Sequence, residues 1–217
     1  MGASASRAIE SQVRDLIRFL EYTNSTKYYT VAVVAEYIRK EFCYSKPPYM
    51  ASGILKNLGV ETLQFKPHDL HMIASKYDID IGEIGGIYFG NGKRVLCTSK
   101  SKSEFTKAHE IFEHLFYGFK GYKEKHFNHG AAEFLMPEEE FTEEALSLGC
   151  NLHYLREIYY NCSPLAIATR LLALKLVDNF TVIYKKEIKK ARENTRCNKS
   201  CQYDIGKDYS ILLHWVN

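Results

Sequence analysis

No stretch of this 217-residue chain approaches the roughly 18 consecutive apolar residues that a membrane-spanning helix needs. Its first residues also lack the basic-then-apolar layout of a secretion signal. A soluble, cytoplasmic protein with no membrane partner is therefore expected. The six cysteines, at positions 43, 97, 150, 162, 197 and 201, follow no disulfide framework, so reduced thiols are expected. Cys197 and Cys201 form the one close pair, and without a second pair they make a poor zinc knuckle. No internal repeat or low-complexity linker interrupts the chain. One sign of charge is not in excess either. A formal net charge of +3 gives no general attraction to nucleic acid, so direct binding to it is not expected. Against these absences, an apolar content of 46% predicts an ordinary packed core. The length suits one domain with appendages or two small domains.

What is present is a metal-site signature on an otherwise apolar helix, FTKAHEIFEHLFYG at 105–118. A zinc-peptidase helix reads H-E-x-x-H, with ligands at i and i+4 and a Glu beside the first His. Here His109 and Glu110 open the motif, and Glu113 stands where the second His belongs. At about 100° per residue, positions 109 and 113 lie about 40° apart and can reach one ion. Position 114 lies about 140° from 109, so His114 points to another face and is expected to bond elsewhere. A further ligand must come from a second segment, and HFNHGAAEFLMPEEEF at 126–141 offers His126 and His129. Two imidazoles, one carboxylate and an open fourth position make a catalytic zinc composition.

The region from about Leu70 to Val177 resembles the ImmA/IrrE-like zinc metallopeptidases. In that family a strand-rich segment precedes F-T-x-A-H-E-x-x-H, and a second helix carries E-A-N-x-F-A-A-x-L-L-M-P. The same order occurs here as GGIYFGNGKRVLCTS at 85–99, FTKAHEIFE at 105–113 and HFNHGAAEFLMP at 126–137. Superposing the LMP triplets sets His126 on the family's third-ligand Glu and Asn128 on its Asn. Gly130 falls on the Phe, with Ala131 and Ala132 on the paired Ala. The resemblance thus implies Zn2+ held by His109, Glu113 and His126, with Glu and His exchanged between two family positions. It implies that Glu110 is the general base, and it makes Tyr88 and His129 candidates for the oxyanion site. The implied activity is endoproteolysis of a helix-turn-helix repressor, which relieves repression under stress or in mobile-element control. The implied fold is α+β: a mostly helical zincin-like core with a small antiparallel sheet.

Around that core, residues 1–58 read as an N-terminal helical extension, 59–178 as the metallopeptidase-like core, and 179–217 as a C-terminal strand and basic segment. Ile9, Val13, Leu16, Ile17 and Leu20 make one helical stripe in the first helix. A second helix is expected from Thr30 as N-cap, and a third over 51–59, stopped by Gly59. The extension is expected to cap the core. LHMIASKYD at 70–78 reads as a short amphipathic helix, and Asn91-Gly92 between apolar runs predicts a hairpin. The strand around Tyr88 is, by analogy with zinc peptidases of this build, the edge on which extended substrate would lie. Residues 152–175 resemble a helix-turn-helix with Ser163 as N-cap and Pro164 at the first helical position. Its second helix offers only Arg170 and Lys175 to DNA, so it is expected to pack in the core. The seven Lys and Arg of KKEIKKARENTRCNK, between FTVIY and YSILLHW, read as a solvated charge block. MGASAS matches a myristoylation pattern, but one so short and permissive that it is expected to be coincidental. Two other functions fit the same sequence. One is a catalytically inactive metallopeptidase fold kept for binding or sensing. The other is a DNA-binding regulator acting through the N-terminal helices or the basic C-terminal stretch.

Overall fold

The computed structural model describes residues 3–42, 46–64, 87–90, 93–98 and 104–177. In chain order it contains α1 (Ala3–Tyr22), α2 (Lys27–Glu41), α3 (Ala51–Asn57), β1 (Val60–Gln64), β2 (Ile87–Gly90) and β3 (Lys93–Thr98). There follow α4 (Glu104–Phe116), α5 (Glu124–Leu135), α6 (Glu138–Ser147), α7 (Leu152–Ile158) and α8 (Pro164–Ala173). The architecture is α+β and mostly helical, as expected. No described helix is long and apolar enough to cross a membrane. Two compact units divide between Leu135 and Met136. The helices of the N-terminal extension therefore share a unit with α4 and α5, and no unit boundary falls near residue 58.

In the first unit, α5 packs against both α2 and α4, while α1 covers α2 and α4. The α1 stripe buries Val13, Ile17 and Leu20 and leaves Phe19 and Tyr22 exposed. The α2 start differs from expectation. Thr26, in extended backbone, is the N-cap and accepts from Tyr29 N at 3.2 Å. Thr30 is fully buried within the helix and bonds back to Thr26 O at 3.0 Å. Both threonines have capping chemistry, and the earlier one has the extended backbone a cap requires. The end of α3 is as expected, with Gly59 at φ +68 just beyond it. Its start depends on α4: Met50 offers no side-chain cap, and the buried carboxylate of Glu104 accepts from Ser52 N at 2.8 Å instead.

The sheet has the order β1-β3-β2. β1 runs parallel to β3, with Val60 opposite Arg94, and β2 is antiparallel to β3, with Gly90 opposite Lys93. The two antiparallel strands are those expected to flank Asn91-Gly92, and those two turn residues lie outside the described residues. The helix expected at 70–78 also lies outside them.

The second unit holds α6, α7 and α8. Glu138, Glu139 and Glu140 form the acidic first turn of α6 after Pro137, where the helix dipole favours them. Asn151 caps α7 through His153 N at 2.9 Å, and Ser163 caps α8 through Ala166 N at 3.1 Å. Phe141, Leu155, Tyr159, Ile167 and Leu171 form its core. Arg170 is buried and donates from Nε to Met136 O at 3.0 Å, so it is withheld from any phosphate. The expected strands at 180–184 and 209–215, the basic stretch between them, and Cys197 and Cys201 lie outside the described residues.

The contact that sets the α4–α5 spacing is Gly130 against the Phe112 ring. A Cβ at position 130 would sit 2.5 Å from Phe112 Cδ1 and 2.7 Å from Cε1. Phe112 is also stacked on Phe116, with ring centroids 6.3 Å apart, so its ring has little room to give. Alanine at 130 would gain up to about 1 kcal/mol of helix propensity, and overpacking costs about 1–3 kcal/mol. Gly130→Ala is therefore expected to lower the urea midpoint with an unchanged m-value. A midpoint equal to or above that of the wild type would show that the two helices are not in this close contact.

Candidate metal centre

The short α4–α5 spacing brings His109 against the first two turns of α5. Its Nδ1 lies 2.8 Å from Asn128 Oδ1. With the amide oxygen as acceptor a proton sits on Nδ1, and Nε2, turned away from Asn128, donates a second one to Glu124 unless a cation takes its place. Nε2 lies 3.2 Å from Glu124 Oε2 and 3.9 Å from Glu113 Oε2. Metal-binding histidines are oriented in this way, with one nitrogen tied to a neighbouring side chain and the other aimed at the ion. The edge of the Phe127 ring, 6.0 Å away, closes one side of the imidazole.

Glu110 is buried beside His109, and its Oε2 atom has no hydrogen-bond partner. Ligand atoms of His109, Glu110 and Glu113 all lie within 4.8 Å of one another. Among the described residues no other three metal-ligating side chains come together in this way. Burial pushes the Glu110 carboxyl up to about 7; the charge of His109 opposes this, and those of Glu113 and Glu124 add to it. Burial, reinforced by Glu124, also raises Glu113 against the pull of His109. Burial alone would lower His109, but the hydrogen bond to Glu124 and the charges of Glu110 and Glu124 outweigh it and hold it above its ordinary value. That same hydrogen bond to His109 lowers Glu124. Three carboxylates converging on one imidazole need either protons or a cation. An orphaned buried carboxylate oxygen and an imidazole held through Nδ1 with Nε2 among carboxylates fit a divalent ion.

Of the three expected ligands, the structure brings His109 and Glu113 together. His126 is not in the cluster. Its Nδ1 accepts from Lys123 N at 2.9 Å, and its ring lies against Tyr28 and Tyr122 at centroid distances of 4.9 and 5.8 Å. Burial first, then the charges of Lys125, Lys27 and Lys123, lower its pKa. The cause is helix azimuth. Glu124 and Asn128 are one turn apart, about 40°, and share the α4 face, whereas position 126 is about 200° from each. Glu124 thus takes the place beside His109 that the LMP register assigned to His126.

The other candidates are also placed. His129 lies with Tyr28, at 5.2 Å, and 3.9 Å from Glu133, away from the cluster. His114 points away from the centre, as expected, and meets Glu10 of α1 at 3.2 Å. Tyr88 lies in β2, paired with Val95. The residues that the structure brings to His109 and that the sequence reading did not single out are Glu124 and Asn128. Their i, i+4 spacing was the available signal. Comparison with protein-family models, with curated proteins and with solved structures finds no match.

The protonation preferences have a direct consequence in protein stripped of divalent ions. Glu110, Glu113 and His109 hold protons more tightly folded than unfolded, so their stabilisation is full at low pH and is lost as pH rises through their folded values. Glu124 has the opposite sign, its contribution being lost on acidification. With excess chelator, Glu110→Gln is expected to remove a loss of roughly 2–4 kcal/mol that the wild type shows from about pH 4.5 to about pH 7. Denaturant unfolding across that range measures it. Identical pH slopes in the two proteins would show that Glu110 is not held protonated by burial.

Proposed function

We propose that this chain is a zinc-dependent endopeptidase of the ImmA/IrrE-like type, with His109 and Glu113 holding the metal, Glu124 meeting His109 from α5, and Glu110 acting as general base. The observation that carries the reading is the His109 imidazole, tied through Nδ1 to Asn128 and presenting Nε2 to two carboxylates. The buried Glu110 beside it supports the reading, as does the motif order F-T-x-A-H-E followed by the LMP block.

When bound, zinc would polarise the scissile carbonyl and lower the pKa of a water. Glu110 takes a proton from the attacking water and delivers it to the departing amine, a role suited to a carboxyl poised near neutrality. Asn128 keeps His109 in the tautomer that leaves Nε2 available. Burial of Glu110 excludes bulk water from the proton-transfer group. Among the described strands β2 is an outer one and packs beside α4, which supports extended substrate lying along it by main-chain hydrogen bonds. The substrate class, a helix-turn-helix repressor, rests on the family resemblance. One observation favours an inactive binding module instead: a single imidazole, rather than two, faces the cluster.

Elemental analysis and a cleavage assay separate these readings. One zinc per chain is expected, lost in His109→Ala and Glu113→Gln, weakened in Glu124→Gln and kept in His126→Gln. Loss of zinc in His126→Gln alongside retention in Glu124→Gln would restore the family register and discard this ligand set. Glu110→Gln is expected to keep zinc while cleaving a co-expressed repressor about 10²–10⁴-fold more slowly. A wild-type chain that binds zinc yet cuts no repressor would favour the binding module.

A further inference from the structure

The face of α5 turned from His109 carries a second polar cluster. There His126, only 6% exposed, packs edge-on against the rings of Tyr28 and Tyr122. It is the third residue of the helix, and its Nδ1 accepts from Lys123 N at 2.9 Å, as the third residue of a capping box does. A neutral imidazole whose Nδ1 is an acceptor carries its proton on Nε2. Nε2 is therefore a donor, and no described residue offers it an acceptor. A polar donor on a ring this buried calls for an acceptor from outside the chain.

The surrounding charge decides what kind of acceptor that is. Lys125, Lys27 and Lys123 all act on the His126 ring. Lys27 is paired with Glu21 and sits over the Tyr122 ring at 4.2 Å. Lys123 and Lys125 are exposed and form no ion pair among the described residues, and Lys125 lies over the Tyr28 ring at 5.7 Å. These two ammonium groups stand at the N-terminus of a helix of 12 residues, whose dipole adds to their charge. The carboxylates of the same helix are engaged elsewhere: Glu124 meets His109, and Glu133 lies 3.9 Å from His129.

His126, His129 and Glu133 share one face of α5 at helical spacing, a pattern that also suits a metal. Among the described residues, however, three ligand atoms gather only at His109, Glu110 and Glu113, and ammonium groups repel a cation. An anion is what this face fits.

We propose that it is a binding site for a dianionic phosphate group, with His126 Nε2–H donating to one oxygen while Lys123 and Lys125 neutralise the charge. The match is one of count. A carboxylate or a phosphodiester, with a single charge, leaves one ammonium unmatched, whereas a phosphate group with about two charges leaves neither. The site goes beyond the peptidase reading and does not depend on it, because position 126 lies about 200° around the helix from Glu124 and Asn128. Free phosphate and a phosphomonoester on a small molecule share this chemistry.

The test uses the full-length chain, stripped of divalent ions and dialysed, and titrated in a calorimeter at about pH 8, where the phosphate group is a dianion. Sodium phosphate, AMP and sodium acetate are the probes. Phosphate, AMP or both are expected to bind at least about tenfold more tightly than acetate. Their affinity should fall at least about tenfold in the Lys123→Gln, Lys125→Gln double variant. A similar loss is expected in His126→Asn, whose amide oxygen can still accept from Lys123 N but which lacks the Nε2 donor. If His126→Asn fails to fold, the lysine variant, changed only at exposed positions, decides alone. His109→Ala should bind as the wild type does. AMP binding more tightly than phosphate supports a site for an organic monoester, and the reverse order supports one for free phosphate. Phosphate and AMP both binding no better than acetate, or an affinity that survives the lysine change, overturns the assignment. Loss of binding in His109→Ala overturns it too, by placing the anion at the metal centre.

Discussion

The contact of Phe112 with the backbone of Gly130 governs the rest of the first unit. Two helices with ordinary side chains at their crossing sit about 8–10 Å apart. Removing one Cβ lets an aromatic ring from α4 lie on the α5 backbone. At that spacing Asn128 and Glu124 can reach the imidazole of His109 from the facing helix. A wider crossing would leave the carboxylates of α4 without a partner from α5. The cluster of His109 with its carboxylates is thus a consequence of packing before it is a matter of ligand chemistry.

Electrostatics shapes the same region in the opposite sense. Glu110, Glu113 and Glu124 share one imidazole, and one oxygen of Glu110 is buried without a hydrogen bond. Leaving such a group unmatched costs stability, which structures tolerate chiefly where a ligand or a reaction supplies the missing partner. Elsewhere in the unit buried acids are satisfied. Glu104 accepts from the α3 backbone and from Lys107 at 2.7 Å. Glu104 and Glu110, both buried and both on α4, thus differ in that only the first has its carboxylate oxygens satisfied.

The legible parts of the sequence were those governed by local chemistry. The helix carrying His109 and Glu110, the Gly59 stop, the caps at Ser163 and after Pro137, and the strands around Asn91-Gly92 all follow from short-range rules. The azimuth of Glu113 and His114 relative to His109 was also readable, since it depends on a single helix. The choice between His126 and Glu124 was not. It depends on which face of α5 meets α4, and aligning the LMP block fixed a register without fixing a face. Asn128 held the missing information: once it is known to bond His109, residues one turn away are inward and residues two positions away are not. Thr26 and Thr30 differ for a similar reason, because two equivalent capping residues are separated only by the backbone around them. The union of the N-terminal helices with α4 and α5 depended on long-range contacts such as Glu10 with His114, which no local pattern announces.

Arg14 illustrates what that union means. Its guanidinium reaches the carbonyls of Leu115 and Tyr117, the groups left open where α4 ends. The first helix of the chain therefore finishes the backbone bonding of the helix that carries the centre, a hundred residues later in sequence. During synthesis the first helices must wait, with Val13, Ile17 and Val34 uncovered, until α4 and α5 have left the ribosome. The unit can close only late, and a nascent chain arrested before residue 135 would present apolar helix faces to chaperones.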